Sequence, residues 1–270
     1  MNRPSFYLSM FRYAVTHPMD GLRILEAACE MREDSKHRLV ADVKTNGLKD
    51  CLKALFPDLG RIEKNESLSQ LEDQLCEFFE KIKSEEYPSM TKPYPIEYSV
   101  DNDSGLFLYE LCKALKPEII VETGVAYGRS TSYILQALHE NQKGKLYSID
   151  YVFTPWQSKQ AIGSAIPNHL RYRWEMVYGP TSEELPNLLD SLGMIDVFFH
   201  DSLHTYKTMN FEFQQSWPHI RQNGFLLSDD AKGNNAFHNF CSIQKLKPLY
   251  LVQEFGADAV MGILQKKNEV

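Results

Sequence analysis

Two apolar runs in the second half of the chain stop abruptly on titratable groups. "MIDVFFHDSLHTY" ends at His200 and Asp201, with His204 three positions on, and "GFLLSDD" ends at Asp229 and Asp230. Three carboxylates at neighbouring strand ends repel one another unless a cation sits between them or protons are taken up. Oxygen donors favour a hard divalent ion, Mg²⁺, Mn²⁺ or Ca²⁺, over zinc, which makes Asp201, Asp229 and Asp230 the candidate metal ligands. The competing reading is that one or more of them caps a helix or forms a surface salt bridge. Side chains alternate along a strand, so His200 and Asp201 point to opposite faces and only one meets a site. His200 is expected to be packed in the strand. His204, expected at the start of the next helix, is a candidate general base, because an imidazole titrates near neutrality. A structural or substrate-orienting role for it competes. A zinc reading of HxxxH is disfavoured, because the change from strand to helix between the histidines spoils the one-face geometry of helical spacing.

A second constellation lies earlier. "EIIVETGVAYGRST" reads as a strand, a turn carrying Gly124 and Gly128, and a helix opening at Arg129 or Ser130. Glycines at such a turn let a ligand approach the backbone. The spacing is not GxGxxG, and Glu122, two residues before the first glycine, would repel a pyrophosphate and attract an amino group. The next apolar run ends at Asp150, placed to accept both hydroxyls of a ribose. A third ends at Gly179, with Ser182 opening the following helix, where it can cap that helix or meet an adenine. Downstream, "DDAKGNNAFHNF" offers Asn235, beside Asn234 and His238, as a contact for an acceptor molecule.

These groups need a sheet to align them. From "DSGLFLYELCKALKP" onward, short apolar β-rich runs alternate with helical stretches, the pattern of a parallel sheet covered on both faces. The fold expected is α/β, doubly wound and Rossmann-like, with "LYLVQEFGADAVMGILQKK" as an antiparallel hairpin at its edge turning at "FGAD". Residues 1–92 read as helices without strand signals, an N-terminal region acting as a lid or dimer interface, and 93–270 as the catalytic domain. In "SLSQLEDQLCEFFEKIKSEE" apolar residues recur at spacings of three and four, with Ser67 or Ser69 as the expected N-cap. "YPSMTKPYPIEY" is the junction, since its prolines cannot continue a helix.

"VETGVAYGRST", "GKLYSID", "FFHDSLHTY" and "NGFLLSDDA", in this order, resemble the class I S-adenosylmethionine-dependent methyltransferases. The likeness is to the metal-assisted O-methyltransferase branch that includes macrolide-sugar and aminocoumarin-sugar enzymes, and more distantly to the catechol and caffeoyl-CoA enzymes. The resemblance spans about residues 100 to 270. It implies that Glu122 and Gly124 lie near the methionine part of S-adenosylmethionine, that Asp150 holds the ribose, that Ser182 lies near the adenine, and that Gly128 and Ser130 also belong to the cofactor site. It also implies a divalent metal, expected to be Mg²⁺, on Asp201, Asp229 and Asp230. Two departures stand out. Pro180 occupies a position where relatives often carry an aspartate, and Leu203 replaces the acid two positions after the metal ligand, which leaves His204 to take the proton.

Bulk properties fit this picture. A formal charge of −7 gives no electrostatic reason to expect a nucleic acid, and no apolar run approaches the length of a membrane span. Five scattered cysteines without a CxxC pair argue against a disulfide framework or zinc ribbon and for the cytoplasm. The expected partner is a small-molecule hydroxyl acceptor, with a homo-oligomer formed through the N-terminal helices. The alternatives are an inactive relative that binds the cofactor without chemistry and an NAD(P)-dependent oxidoreductase. The assembled acids argue against the first, and the glycine spacing against the second.

Overall fold

The structure is a computed structural model that describes residues 3–38, 42–59, 64–253 and 256–267. Four helices come first: α1 (Arg3–Thr16), α2 (Pro18–Glu33), α3 (Leu48–Leu55) and α4 (Glu66–Lys83). The alternating part follows as α5 (Asn102–Leu115), β1 (Ile119–Thr123), α6 (Arg129–Glu140), β2 (Lys145–Asp150), β3 (Trp174–Tyr178), α7 (Thr181–Leu192) and β4 (Ile195–His200). It continues as α8 (Tyr206–Ser216), β5 (Ile220–Ser228), α9 (Ala236–Ile243), β6 (Leu249–Gln253) and β7 (Gly256–Gln265). The strands form one seven-stranded sheet in the order β3-β2-β1-β4-β5-β7-β6. The first five are parallel to one another, and β7 runs antiparallel to both β5 and β6. This is the Rossmann-like doubly wound sheet with an antiparallel pair that the alternation of runs predicts.

Apolar alternation assigns the two faces. Ile120, Val197 and Phe199 join α4, α5 and α6 in one buried cluster, while Val121, Phe198 and Leu226 join α7, α8 and α9 in the other. The side chains of α3 and α4 belong to the first cluster: Cys51, Leu52, Leu68, Leu71 and Leu75 are buried within it. These two helices are thus part of the main core, and only the α1–α2 hairpin stands outside both clusters. The N-cap of α4 is Asn65, whose Oδ1 accepts from the Leu68 amide at 2.8 Å, rather than Ser67 or Ser69. The helix starts one turn earlier than its apolar stripe suggests, because Asn65 is the stronger local acceptor. In the first 92 residues one strand-like feature occurs among the described residues, a parallel bridge from Asn46 to Leu251 that covers the sheet's edge. The turn expected at "FGAD" falls partly on residues 254–255, outside the described residues; β7 is already under way at Gly256.

Register positions the site. Thr123 lies opposite Ile149 and His200, and His200 opposite Ser228, so β1, β2, β4 and β5 finish along one line with β1 at the switch of strand order. At the amino-terminal ends of the strands a single carboxylate ties β4, β1 and β5. Asp196 Oδ2 accepts the Glu118 and Ile119 amides at 2.7 and 2.9 Å, and its Oδ1 accepts Arg221 at 2.8 Å. Asp196→Ala leaves those donors unmatched and is expected to cost about 2 kcal/mol in urea unfolding, with Asp196→Asn recovering part of the loss.

Candidate active site

The glycine turn leaves β1 in a conformation that few residues adopt. Gly124, Ala126 and Gly128 all have positive φ, at 82°, 46° and 90°. A Cβ on Gly124 would overlap the Asp201 carbonyl, so the turn presses directly on the segment that follows β4. The curl is held by Asp150 at the end of β2. Its Oδ2 accepts the amides of Val125 and Ala126 at 3.0 and 2.9 Å, and its Oδ1 accepts the Tyr151 amide at 2.6 Å.

Glu122 lies beneath this turn rather than in its mouth. It is fully buried, with Ser130 donating to Oε1 at 2.8 Å and Thr131 and Ser148 donating to Oε2 at 2.8 and 2.7 Å. Burial pushes its carboxyl up to about 7, and the three hydroxyls offset only part of that shift. Glu122 and Ser130 therefore brace the turn from within. Ser182 is exposed in the first turn of α7 and does not cap it; α7 opens on Pro180, whose carbonyl accepts the Glu183 and Glu184 amides.

On the other side of the switch, Asp201 and Asp229 extend β4 and β5. The Asp201 amide donates to the Thr123 carbonyl at 2.8 Å and the Asp229 amide to that of His200 at 2.9 Å. Asp201, His204 and Asp229 each place one donor atom within 4.8 Å of the other two. Asp230, expected as the third ligand, is directed elsewhere. Its backbone has turned to φ 47°, and its carboxylate lies 3.2 Å from His204 Nδ1. The physical reason is that Asp229 continues the pleat of β5 while Asp230 already begins the turn. His204 belongs to the loop, not to the helix start: Thr205 caps α8 through the Thr208 amide.

The electrostatics follow from this crowding. Burial raises the Asp201 carboxyl well above its ordinary range, and the charges of Asp229, Glu122 and Asp230 add to the effect. Asp229 is raised mainly by burial. Asp230 is lowered by its hydrogen bond to His204. Burial works against the His204 cation, but Asp230 and the charge of Asp229 outweigh it and raise the imidazole. His204 Nε2, 3.7 Å from Asp201 Oδ1, has no hydrogen-bond partner. Two close carboxylates beside an unpartnered ring nitrogen fit a divalent cation, with Asp201 and Asp229 as oxygen donors.

Two residues that sequence reading did not single out hold this arrangement. Gln253, on β6, donates to Asp229 Oδ1 at 2.6 Å and to Ser104 at 3.1 Å. Glu212, on α8, accepts from Thr123 at 2.6 Å and Ser202 at 2.7 Å and lies 2.6 Å from His200 Nδ1. His200 is fully buried against Phe213, on the face opposite Asp201. A signal for Glu212 was available: it interrupts the apolar stripe of Met209 and Phe213 on α8. Gln253 gave none beyond being a polar residue at a strand end. Asn235 engages through its backbone, donating to the His37 carbonyl at 2.8 Å, whereas buried Asn234 uses its side chain, donating to the His204 carbonyl at 3.1 Å and accepting from the Ala236 amide at 2.8 Å.

Residues 121–231, from within β1 to the loop after β5, match the family model described as a methyltransferase domain. No curated protein sequence matches the chain. Among solved structures, the chain resembles an O-methyltransferase from Bacillus cereus in complex with SAH, with a TM-score of 0.57 and 16% identity over 80% of this chain and 96% of that one. It also resembles SAH-bound methyltransferase PaMTH1 of Podospora anserina, at 0.53 and 15% over 85% and 100%. A third likeness is to the SAM-bound O-methyltransferase TomG of Streptomyces achromogenes, involved in tomaymycin synthesis, at 0.53 and 15% over 81% and 95%. At these identities the likeness is one of fold.

The buried Glu122 yields a stability test. Its carboxyl titrates near 4.5 when unfolded and about 7 when folded, so the folded state holds the extra proton between those values. Stability must then fall as pH rises from about 4.5 to about 7, by up to about 3 kcal/mol from this group. Glu122→Gln is expected to remove that part of the decline in urea unfolding measured across the window. Parallel pH profiles for the two proteins would refute the assignment.

Proposed function

We propose that the protein is an S-adenosylmethionine-dependent O-methyltransferase acting on a hydroxyl of a small molecule such as a sugar, polyol or phenol, with a divalent metal, Mg²⁺ by its oxygen donors, assisting. One observation carries the reading: the glycine turn and the Asp201–His204–Asp229 cluster meet at the switch point of a methyltransferase-type sheet, in backbone contact at Gly124 and Asp201. In this reading Asp150 holds the ribose, the tight turn that Gly124 and Gly128 permit presents its backbone to the cofactor, and Glu122 and Ser130 stiffen the turn from below. Ser182, exposed at the start of α7, is assigned to the adenine end and Asn235 to the acceptor side.

The chain's own groups account for alignment and deprotonation, the main demands of an in-line methyl transfer. His204 takes the acceptor's proton at Nε2. Asp230 favours the tautomer with hydrogen on Nδ1, which leaves the Nε2 lone pair free, and steadies the imidazolium that results. Asp201 and Asp229 would hold the cation, which when bound lowers the pKa of a coordinated hydroxyl. Gln253 fixes the orientation of the Asp229 carboxylate. A second reading, in which His204 Nε2 is itself a ligand, is favoured by the grouping of all three donor atoms within 4.8 Å.

Calorimetric titration with S-adenosylhomocysteine is expected to show saturable micromolar binding, weakened about tenfold or more by Asp150→Ala, and no binding of NAD. A folded, cofactor-free protein that binds NAD instead, or neither, overturns the proposal. His204→Gln separates the two roles of the imidazole. As a base, its loss lowers kcat about 100-fold and leaves Mn²⁺ affinity unchanged. As a ligand, its loss weakens Mn²⁺ binding in the same calorimeter.

A further inference from the structure

The α1–α2 hairpin is amphipathic in the wrong sense for a monomer. Eight of the fourteen exposed large hydrophobic residues among those described lie between Tyr7 and Met31. Tyr7, Phe11 and Val15 on α1 recur every four residues, and Met19, Leu22 and Leu25 on α2 every three, so each set forms a stripe; all six are 55–67% exposed. The ties to the body are mostly polar. Arg23 reaches Glu183 at 2.6 Å and the Tyr151 hydroxyl at 3.2 Å, Asp20 pairs with the same hydroxyl, and Glu30 accepts from Thr205 at 2.7 Å. Asp34 accepts the Tyr206 amide at 3.0 Å. The hairpin thus lies across the crevice, from the residue after Asp150 to the residue after His204, with its greasy side outward.

We propose that a second copy of this chain covers that outer face, hairpin on hairpin, in a two-fold symmetric four-helix arrangement. The size is right. The exposed stripes offer roughly 750 Å² of apolar surface, close to the roughly 800 Å² that each partner contributes to a standard stable interface. Such a patch exceeds what a monomer ordinarily leaves open. Charge supports a crossed pairing. On their exposed sides α1 carries Arg12 and no acid, while α2 carries Glu26 and Glu33 against Arg32. A two-fold that sets α1 of one protomer on α2 of the other places the basic helix on the acidic one, twice. Dimerisation would then clamp the roof of the crevice from outside. This inference stands whether or not the chain transfers methyl groups.

Light scattering coupled to size exclusion, with the full chain at about 10 μM, a level at which standard-size interfaces are commonly occupied, tests it directly. The expected mass is twice the 31.2 kDa of one chain. Phe11→Glu with Leu25→Glu is expected to give the monomer with an unchanged circular dichroism spectrum, and Tyr7→Lys with Met19→Lys, an independent pair, should do the same. Cys29 lies one turn beyond Leu25 on α2 and is exposed in the single chain. Its alkylation is expected to be several-fold slower in the wild type than in either variant. A monomeric wild type, a dimer that both variants leave intact, or a monomer that sediments with phosphatidylcholine vesicles would each overturn the proposal, the last by assigning the face to a membrane surface.

Discussion

The backbone contact between the glycine turn and the end of β4 governs the rest of the site. Gly124 has no room for a side chain because the Asp201 carbonyl occupies the place of its Cβ, and the Asp201 amide is bonded to the Thr123 carbonyl. The ligand-facing turn and the acidic segment therefore cannot shift independently. What moves one by a fraction of an ångström moves the other, and Asp150 extends the coupling to β2 through the two amides that it gathers. A site for two molecules that must meet in line needs this kind of shared frame.

Around that frame the protein buries several carboxylates. Glu122, Glu212 and Asp229 take their hydrogen bonds largely from neutral hydroxyl or amide donors, with His200 the basic neighbour of Glu212 and His204 that of Asp229. Hydrogen bonds from neutral groups satisfy a buried acid without cancelling its charge field. Burial raises Glu122 and Asp229 toward their neutral forms, so the negative potential beneath the crevice develops fully when a cation arrives. It suits a cationic ligand such as a sulfonium or a metal ion, and it opposes a pyrophosphate.

The parallel sheet, the antiparallel pair at its edge and the line of strand ends were legible because continuous apolar runs of five or six residues report burial on both faces. His200 was legible for the same reason: the period of two put it opposite Asp201. What the sequence concealed depended on contacts from far along the chain or on a change of backbone direction. Asp229 and Asp230 look equivalent as letters, and only the turn at φ 47° separates their roles. Of the two parts open to Ser182, a cap of α7 or a contact to an adenine, the first is absent, since Pro180 begins α7 without a side-chain cap. That Asn234 rather than Asn235 turns its side chain inward was likewise hidden, since the start of α9 sets which of the two does so.

Gln253 adds a consequence in time. It is supplied by β6, which follows Asp201, His204 and Asp229 in chain order, and β6 reaches the sheet only by pairing with the still later β7. During synthesis the first five strands can associate while Asp229 still lacks its amide partner. Until the hairpin docks, that carboxylate lacks the side-chain amide that orients it. The nascent protein thus acquires its fold before its acidic site is sealed, and closure of the sheet's far edge is the event that completes it.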